Sequence, residues 1–499
     1  MTTFSISGVI RDHARNRADM TAITEAGTGR SVSWSQLDAN VDKVAGSLIA
    51  DGVQRGDRVV FLGHNCIELF ELYFATARIG ATFAPLNWNL NRDEIATLLQ
   101  DMGAAKAVVD PKFAPRIDGA IETGPAYIAW REAGGAWSGL DEGQGTDVVV
   151  QPYTSGTTGI PKGVMLTNDN VSAFVHASAE LHYEASSAHL LSLPNYHIGG
   201  CVFPLLAVVA GGHVVIVDRF TPASVLDTIE KFGITHINLV PTMINMVIEE
   251  QEKRTRDVSS MQLVVYGAAP VTASTVERAQ RVLGVSLLQE YASTECITIT
   301  ALGPDEHTKD RLKSVGRPFP GVEIQIREVG TGELLPTGRA GEICVRSEQC
   351  TQGYWRRPEE TQGLNASDGY IRTGDLGFLD ADDYLYLTGR VKDMIVTGGE
   401  NIYPAEVEAV LAQHDQVSDV AVVGVPDERW GELVVAFVVA ADGSQLVADE
   451  LLAWSHSKLT GYRRPRRVVF VDALPRNPTG KIERRVLRES SRSDGVAVR

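Results

Sequence analysis

The chain has 499 residues, of which 44% are hydrophobic, so it can bury a large core and is long enough for two or more domains. Its formal net charge of −17 argues against a polynucleotide partner, which calls for a basic face; the one basic cluster, Arg463-Arg464-Pro465-Arg466-Arg467, suits an anionic small molecule as well. Its five cysteines are scattered without a Cys-x-x-Cys, which gives neither a disulfide framework nor a zinc site and implies a reducing, cytoplasmic setting.

The opening Met-Thr-Thr-Phe-Ser-Ile lacks the basic and apolar regions of a signal peptide. Leu37, Val41, Val44, Ala45, Leu48 and Ile49 fall on one helical face, with Ser33 and Gln36 as a capping box and Gly52 as a stop. Short apolar strands follow at Arg58–Leu62 and 107–109, and later at 214–217 and 263–265. Strands alternating with helices predict parallel sheets covered on both faces. Between Gly199 and Val217 no side chain is formally charged unless His213 is protonated, but four glycines and Pro204 interrupt the stretch. That predicts buried helix, turn and strand; a membrane span wants about 20 apolar residues. Peripheral membrane contact stays open.

Residues Tyr153 to Gly163 read Tyr-Thr-Ser-Gly-Thr-Thr-Gly-Ile-Pro-Lys-Gly, after an apolar strand at Val148–Val150. Gly156 and Gly159 permit close backbone approach. Such a turn aims N–H groups at a phosphate, Thr154, Ser155, Thr157 and Thr158 offer hydroxyls, and Lys162 supplies charge. The loop reads as a grip for a nucleotide triphosphate. It is no Walker loop: Pro161 stands where the second glycine belongs, and Gly163 where the Mg²⁺-binding hydroxyl belongs.

From about Gly316 the pattern changes to short alternating runs, such as Glu323–Arg327 and 342–346, which predict a small antiparallel sheet or barrel. Near Lys392 it changes again, to a helix at Pro404–Leu411 and strands at 417–425 and 433–439. The expected organisation is a large N-terminal α/β domain, 1–390, with two parallel-type sheets and a small β-barrel at 316–390. A hinge at 391–393 and a small, mobile α+β domain at 394–499 follow.

Further segments carry polar groups with an evident use. Gly267-Ala268-Ala269-Pro270 follows a strand and can present backbone groups to a flat base. Tyr291-Ala292-Ser293-Thr294-Glu295 offers an aromatic face, hydroxyls and a carboxylate, and Glu295 suits Mg²⁺, which is held by one or two carboxylates plus phosphate oxygens. Asp375 at a turn suits a ribose diol, Gly389-Arg390-Val391-Lys392-Asp393 lies at the second change of pattern, and Pro478-Thr479-Gly480-Lys481 lies near the end.

In this order and spacing the motifs resemble those of the adenylate-forming superfamily: acyl-CoA synthetases, adenylation domains and beetle luciferases. Gly353-Tyr354-Trp355 with Pro358-Glu359, and Gly398-Gly399-Glu400-Asn401-Ile402-Tyr403-Pro404, look most like bacterial fatty-acyl and aryl-acyl CoA ligases. The resemblance implies two half-reactions: a carboxylate attacks the α-phosphorus of ATP to give acyl-AMP and pyrophosphate, and the thiol of coenzyme A then displaces AMP. Two anions must meet in the first step, so positioning and fixed positive charge are needed. By resemblance, Lys481 reaches both the carboxylate and the α-phosphate, and Thr154 through Gly159 with Lys162 hold the β- and γ-phosphates. Thr154 joins Glu295 at Mg²⁺. Glu290, Ala292 and Ser293 line the nucleotide site with Gly267 to Pro270; Tyr291 stacks on adenine, Thr294 contacts phosphate, and Asp375 and Arg390 fix the ribose. His197, in Pro194-Asn195-Tyr196-His197, borders the acyl pocket and the thiol's approach, or else is a core histidine.

The resemblance also implies that the C-terminal domain turns about Lys392 between half-reactions, withdrawing Lys481 and bringing Gly398, Gly399 and Glu400 to the pantetheine arm. Trp430-Gly431-Glu432 and the arginines from Arg463 help hold coenzyme A, unless Trp430 is a core aromatic. Relatives commonly carry Gly where Ala292 stands, and Lys where Arg463 stands. Cys296, Ile297 and Thr298 offer no cation for a second carboxylate. The leading expectation is an ATP-dependent acyl-CoA synthetase for an apolar monocarboxylate, fatty before aromatic. The alternatives are an enzyme loading a carrier protein and a catalytically silent nucleotide sensor. The oligomeric state, a homodimer included, is open.

Overall fold

The computed structural model describes residues 5–137, 139, 143–154, 161–269, 271–366, 368–398, 400–459, 461–476 and 482–492. The chain divides into two compact units: Met1–Ile324 with Val345–Ile371, and Gln325–Cys344 with Arg372–Arg499.

The first unit is built on two sheets. The larger runs, edge to edge, through Arg317–Pro318, Ile297–Leu302, Ser286–Ser293, Leu263–Gly267, His236–Leu239, Ala188–Leu191, His213–Ile216, Thr21–Glu25 and Ser31–Ser33. Its interior pairings are parallel and its edges antiparallel. The second sheet runs through Leu166–Thr167, Val148–Val150, Thr82–Pro85, Arg58–Leu62, Ala104–Val109 and Ile121–Glu122, parallel but for its first pairing. The expected parallel sheets are therefore present.

Register sorts the larger sheet into two faces. Leu190, Ile237, Val264 and Leu287 form one row across four parallel strands, all at most 2% exposed. Alternation puts His189, His236, Asn238 and Glu290 on the opposite face, also buried. The apolar face packs beneath helices Pro222–Phe232, Pro241–Lys253 and Ala273–Leu283.

Helix Trp34–Ala50 begins with the anticipated reciprocal capping box of Ser33 and Gln36, and Gly52 follows it at φ +86°. Leu37, Val41, Val44, Ala45 and Leu48 are fully buried, but Ile49 is 45% exposed. At about 100° per residue Ile49 lies on the rim of that stripe, beyond Ala45, and so faces outward. The stretch from Gly199 forms helices Ile198–Cys201 and Pro204–Ala210, a turn, and strand His213–Ile216. Among the described residues no helix is long and apolar enough to cross a membrane.

Strands Glu323–Arg327, Gly341–Arg346, Ile371–Leu379 and Leu385–Arg390, which fall mainly in the second unit, form a small four-stranded sheet in that order, open rather than closed into the barrel also expected. A second sheet pairs Glu400–Ile402, Ile395–Thr397, Gly431–Ala440 and Val417–Asp427, with Arg467–Phe470 added parallel to Gly431–Ala440. Its alternate residues feed two cores. Val420, Val422, Val434 and Ala436 meet Val407 and Leu411 of helix Pro404–Leu411, while Ala421, Val423, Val435 and Phe437 meet Leu474 and Leu487.

Candidate active site

The two ends of the glycine- and hydroxyl-rich loop are pinned by a short ribbon, in which Tyr153 pairs with Gly163 and Thr154 with Lys162, antiparallel. Ser155, Gly156, Thr157, Thr158 and Gly159 lie outside the described residues, as does Pro270. Beyond the ribbon the chain is met by the segment 351–355. The Trp355 N–H donates to the Gly163 carbonyl at 2.8 Å, and the Thr351 N–H to the Glu295 carbonyl at 2.7 Å. Lys162 Nζ lies 5.0 Å from the Tyr354 ring centroid, and the Tyr354 phenol donates to Glu295 Oε1 at 2.8 Å. Burial first, then the Glu295 charge, raises the Tyr354 pKa far above the ordinary phenol range, so the phenol is a fixed donor. A cation, a phenol and a carboxylate thus stand in series beside the loop's described ends.

The hairpin Ser286–Ser293 to Ile297–Leu302 carries the next group. Its turn is tight: the Cys296 N–H donates to Ser293 Oγ at 3.1 Å, and Ile297, a β-branched residue, sits at φ +53°. Tyr291 is 8% exposed within the strand, Ala292 is exposed beside a register irregularity, and Thr294 and Glu295 are half-buried in the turn. Gly267 pairs with Glu290 at the carboxyl ends of adjacent parallel strands, the edge at which α/β sheets commonly bind ligands. A Cβ on Gly267 would stand 2.6 Å from the Glu290 carbonyl, so no larger residue fits there. Ala268 follows at φ +69°, a left-handed conformation uncommon for alanine. Glu290 is 5% exposed; burial pushes its pKa up to about 8, leaving a mostly neutral acid at pH 7, and its Oε1 has no partner among the described residues.

His197 precedes helix Ile198–Cys201 and is exposed, which removes the core-histidine alternative. Its ring is 4.5 Å from that of Tyr196, which is buried edge-on against Trp88 at 4.7 Å. Asn195 anchors the turn by donating to Gly63 O and Asn65 Oδ1.

In the second unit, Asp375 and Arg390 are directly opposite across strands Ile371–Leu379 and Leu385–Arg390, with Nε 3.0 Å from Oδ1. The Asp375 side chain is 13% exposed and that of Arg390 47%, a carboxylate braced by a cation that still meets water. Lys392 is exposed in the turn Val391–Asp393, where Arg488 of helix Arg484–Arg492 donates to Asp393 Oδ1 at 2.9 Å. Gly398 turns the hairpin between Ile395–Thr397 and Glu400–Ile402 at φ +59°, and its N–H donates to the Trp430 carbonyl. Trp430 is 40% exposed, so it is no core aromatic. Glu400 is exposed, and Arg463 Nη1 lies 3.4 Å from Glu406. Gly399 and Lys481 lie outside the described residues, but Arg476 and Ile482, on either side of the lysine segment, form an antiparallel bridge.

The pattern for AMP-binding enzymes matches residues 10–355, and that for the AMP-binding enzyme C-terminal domain matches 406–481. The chain belongs to the AMP-binding enzyme family. A fatty acid–[acyl-carrier-protein] ligase, ScoC of Streptomyces coeruleorubidus, is 36% identical over 92% of each chain. A feruloyl-CoA synthase of an Amycolatopsis species is 37% identical over 94% of this chain and 95% of its own. The ATP-bound crystal structure of MatB from Rhodopseudomonas palustris superposes with a TM-score of 0.85 at 30% identity, covering 98% and 99%.

The protein is accordingly a ligase of the acyl- and aryl-CoA synthetase group, within the adenylate-forming superfamily, whose enzymes use ATP and coenzyme A. Among the described residues no group of three or more His, Cys, Asp or Glu side chains could hold a metal. The Glu295 carboxylate by the loop ends fits a Mg²⁺ ion that arrives with phosphate oxygens, since Mg²⁺ keeps much of its shell from phosphate and water. Two partners escaped the sequence reading. Tyr354 was legible only as part of a Gly-Tyr-Trp signature, and nothing in the sequence singled out Arg488.

Proposed function

We propose that the protein activates an apolar monocarboxylic acid, fatty in preference to aromatic, as its acyl-adenylate and passes the acyl group to coenzyme A. The reading is supported above all by the series Lys162, Tyr354, Glu295 beside the loop ends. In it the loop with Lys162 receives the β- and γ-phosphates, and Glu295, with Thr154, receives their Mg²⁺. Asp375 accepts from the ribose hydroxyls while Arg390 holds its carboxylate in place. Tyr291 and the backbone at Gly267 to Ala269 take the adenine. Lys481 draws the substrate carboxylate onto the α-phosphorus, a task for a compact charge on a long stem. The turn at 391–393 is the pivot between the half-reactions, residues 394–499 move about it, and the Gly398 hairpin with Trp430 then meets the thiol arm. His197 borders the acyl end.

The test is a panel of fatty, aromatic and dicarboxylic acids assayed for AMP release with coenzyme A. AMP release with none of them, and no ATP–pyrophosphate exchange either, sinks the proposal. Lys481→Ala is expected to abolish adenylate formation and to spare thioester formation from supplied acyl-adenylate; equal loss of both contradicts its role.

A second reading is favoured by the likeness to ScoC, named as a carrier-protein ligase. On it the acceptor is the phosphopantetheine arm of a carrier protein. Acyl-adenylate that forms without turnover on coenzyme A, but is discharged by a carrier protein, decides for it.

A further inference from the structure

A cleft in the first unit adjoins the loop ends through Trp355. Its volume is about 520 Å³, and its walls include Arg55, Arg58, Asp147, Met165, Trp355 and Arg356. Arg58 opens the strand Arg58–Leu62 and is 6% exposed. Its Nε donates to Gln151 Oε1 at 3.1 Å and its Nη1 to the Gly56 carbonyl at 2.5 Å, both neutral acceptors. Among the described residues it has no carboxylate partner, and Arg356 has only the Asp101 carbonyl. Burial, with the Arg356 charge adding to it, pulls the Arg58 pKa down to about 10, which leaves it cationic at neutral pH.

A buried cation with no carboxylate in hydrogen-bond contact, and only the through-space charge of Asp57 to offset it, is costly. This one is held by stacking, its guanidinium carbon 3.1 Å from the Trp355 ring centroid, with that of Arg356 5.1 Å from the same ring. Two guanidinium groups therefore share one indole. The Trp355 Nε1–H is buried and has no acceptor among the described residues. Arg356 is presented from a left-handed backbone at φ +52°, which costs a residue with a Cβ energy. Of the carboxylates on the wall, Asp147 is paired with a cation, while Asp57 has only a backbone partner among the described residues and acts on Arg58 through space. Asp147 meets Arg55 Nη1 at 2.8 and 2.6 Å, and Asp57 accepts from the Gln54 N–H at 2.8 Å.

We propose that this cleft is a second anion site, for a phosphate-bearing small molecule, with Arg58 and Arg356 as its cations and the Trp355 ring as the platform on which both are stacked. The Arg356 guanidinium suits phosphate oxygens in geometry as well as charge, while Arg58, whose Nε and Nη1 are already engaged, adds its charge. A chain of net charge −17 repels anions in general, so positive charge gathered at one cleft is selective. The wall also reaches both ends of the phosphate loop. Gln151, held by Arg58, donates to the Tyr153 hydroxyl at 3.2 Å, and the Trp355 N–H holds the Gly163 carbonyl. An anion drawn against Arg58 and Trp355 steadies the ribbon from which that loop springs.

Calorimetric titration with inorganic pyrophosphate and with ADP, after α,β-methylene-ATP with Mg²⁺ has filled the catalytic site together with its grip for the β- and γ-phosphates, tests this. One further site per chain is expected. Arg356→Glu, an exposed position that should fold normally, weakens it about tenfold or more, and Trp355→Phe weakens it less. Arg58→Gln gives a third measure where it folds. Hydrogen exchange in residues 151–163 slows on pyrophosphate binding in the wild type and not in Arg356→Glu. ADP binding tighter than pyrophosphate assigns a nucleotide, and equal binding assigns a bare phosphate group. Absence of any binding once the catalytic site is filled, or unchanged affinity in Arg356→Glu, overturns the proposal, whatever the enzyme's acid substrate proves to be.

Discussion

Replacing Tyr354 with phenylalanine deletes a single oxygen whose only described partner is the Glu295 carboxylate, 2.8 Å away. A net hydrogen bond to a charged acceptor is worth about 1.5–3 kcal/mol. Both residues are half-buried, so water can replace part of what is lost, and the lower end, about 1.5 kcal/mol, applies. If Glu295 must be aimed at the metal that accompanies ATP, that loss falls on the adenylation transition state, and kcat/KM for ATP drops about tenfold. The phenyl ring remains beneath Lys162, so the cation–π contact is kept and little global stability is at stake.

The assay is ATP–pyrophosphate exchange with ATP varied at saturating acid, alongside thioester formation from supplied acyl-adenylate. Only the first should fall. A double-mutant cycle sharpens the result. If the phenol acts through the carboxylate, Tyr354→Phe costs nothing further in a Glu295→Gln background. A kcat/KM within twofold of wild type in the folded variant, or full additivity with Glu295→Gln, would refute the reasoning.

Two further perturbations separate the halves of the molecule. Gly398→Ala forces a Cβ into a left-handed position at φ +59°, 3.3 Å from Trp430, at about 1 kcal/mol of local strain; thioester formation is expected to slow while pyrophosphate exchange is spared, and an equal effect on both speaks against a thiol-binding hairpin. Glu290 binds a proton in the native state that the unfolded chain has already released, because its pKa rises from 4.5 to about 8. Its burial penalty is absent below about pH 4.5, grows through the window to pH 8 and is complete above it. Glu290→Gln should therefore gain thermal stability over wild type as the pH rises from 5 to 9, and a melting difference independent of pH would show that the carboxyl ionises normally.

What the sequence revealed and what it concealed divide by distance along the chain. The helix Trp34–Ala50 was legible because its caps and its stripe are local; its one misplaced residue, Ile49, sits where a stripe's rim turns to solvent. The nucleotide motifs were legible because each packs its chemistry into a few neighbouring residues. Tyr354 and Glu295 are 59 residues apart, and nothing near either one announces the other. The buried polar row of His189, His236, Asn238 and Glu290 exists only once four strands are in register, since each residue alone looks like a polar interruption of an apolar strand. Exposure is another non-local property. Trp430 and His197 each allowed a core role until the fold placed them at the surface.

The same division explains why Arg58 matters. In sequence it is an ordinary charge after Gly56-Asp57 at the head of a strand, where a surface arginine would pass unnoticed. Folding buries it against Trp355, nearly 300 positions away, and among the described residues gives it no hydrogen-bonded carboxylate, with Asp57 acting on it only through space. A fold retains such a weakly compensated cation if something outside the chain completes it or if stacking bears most of the cost. Arg58→Met distinguishes the two through stability, since it keeps the apolar contact with the indole and removes the charge. A variant more stable than wild type in plain buffer, with that advantage lost when pyrophosphate is added, is the behaviour of a site held ready for a ligand.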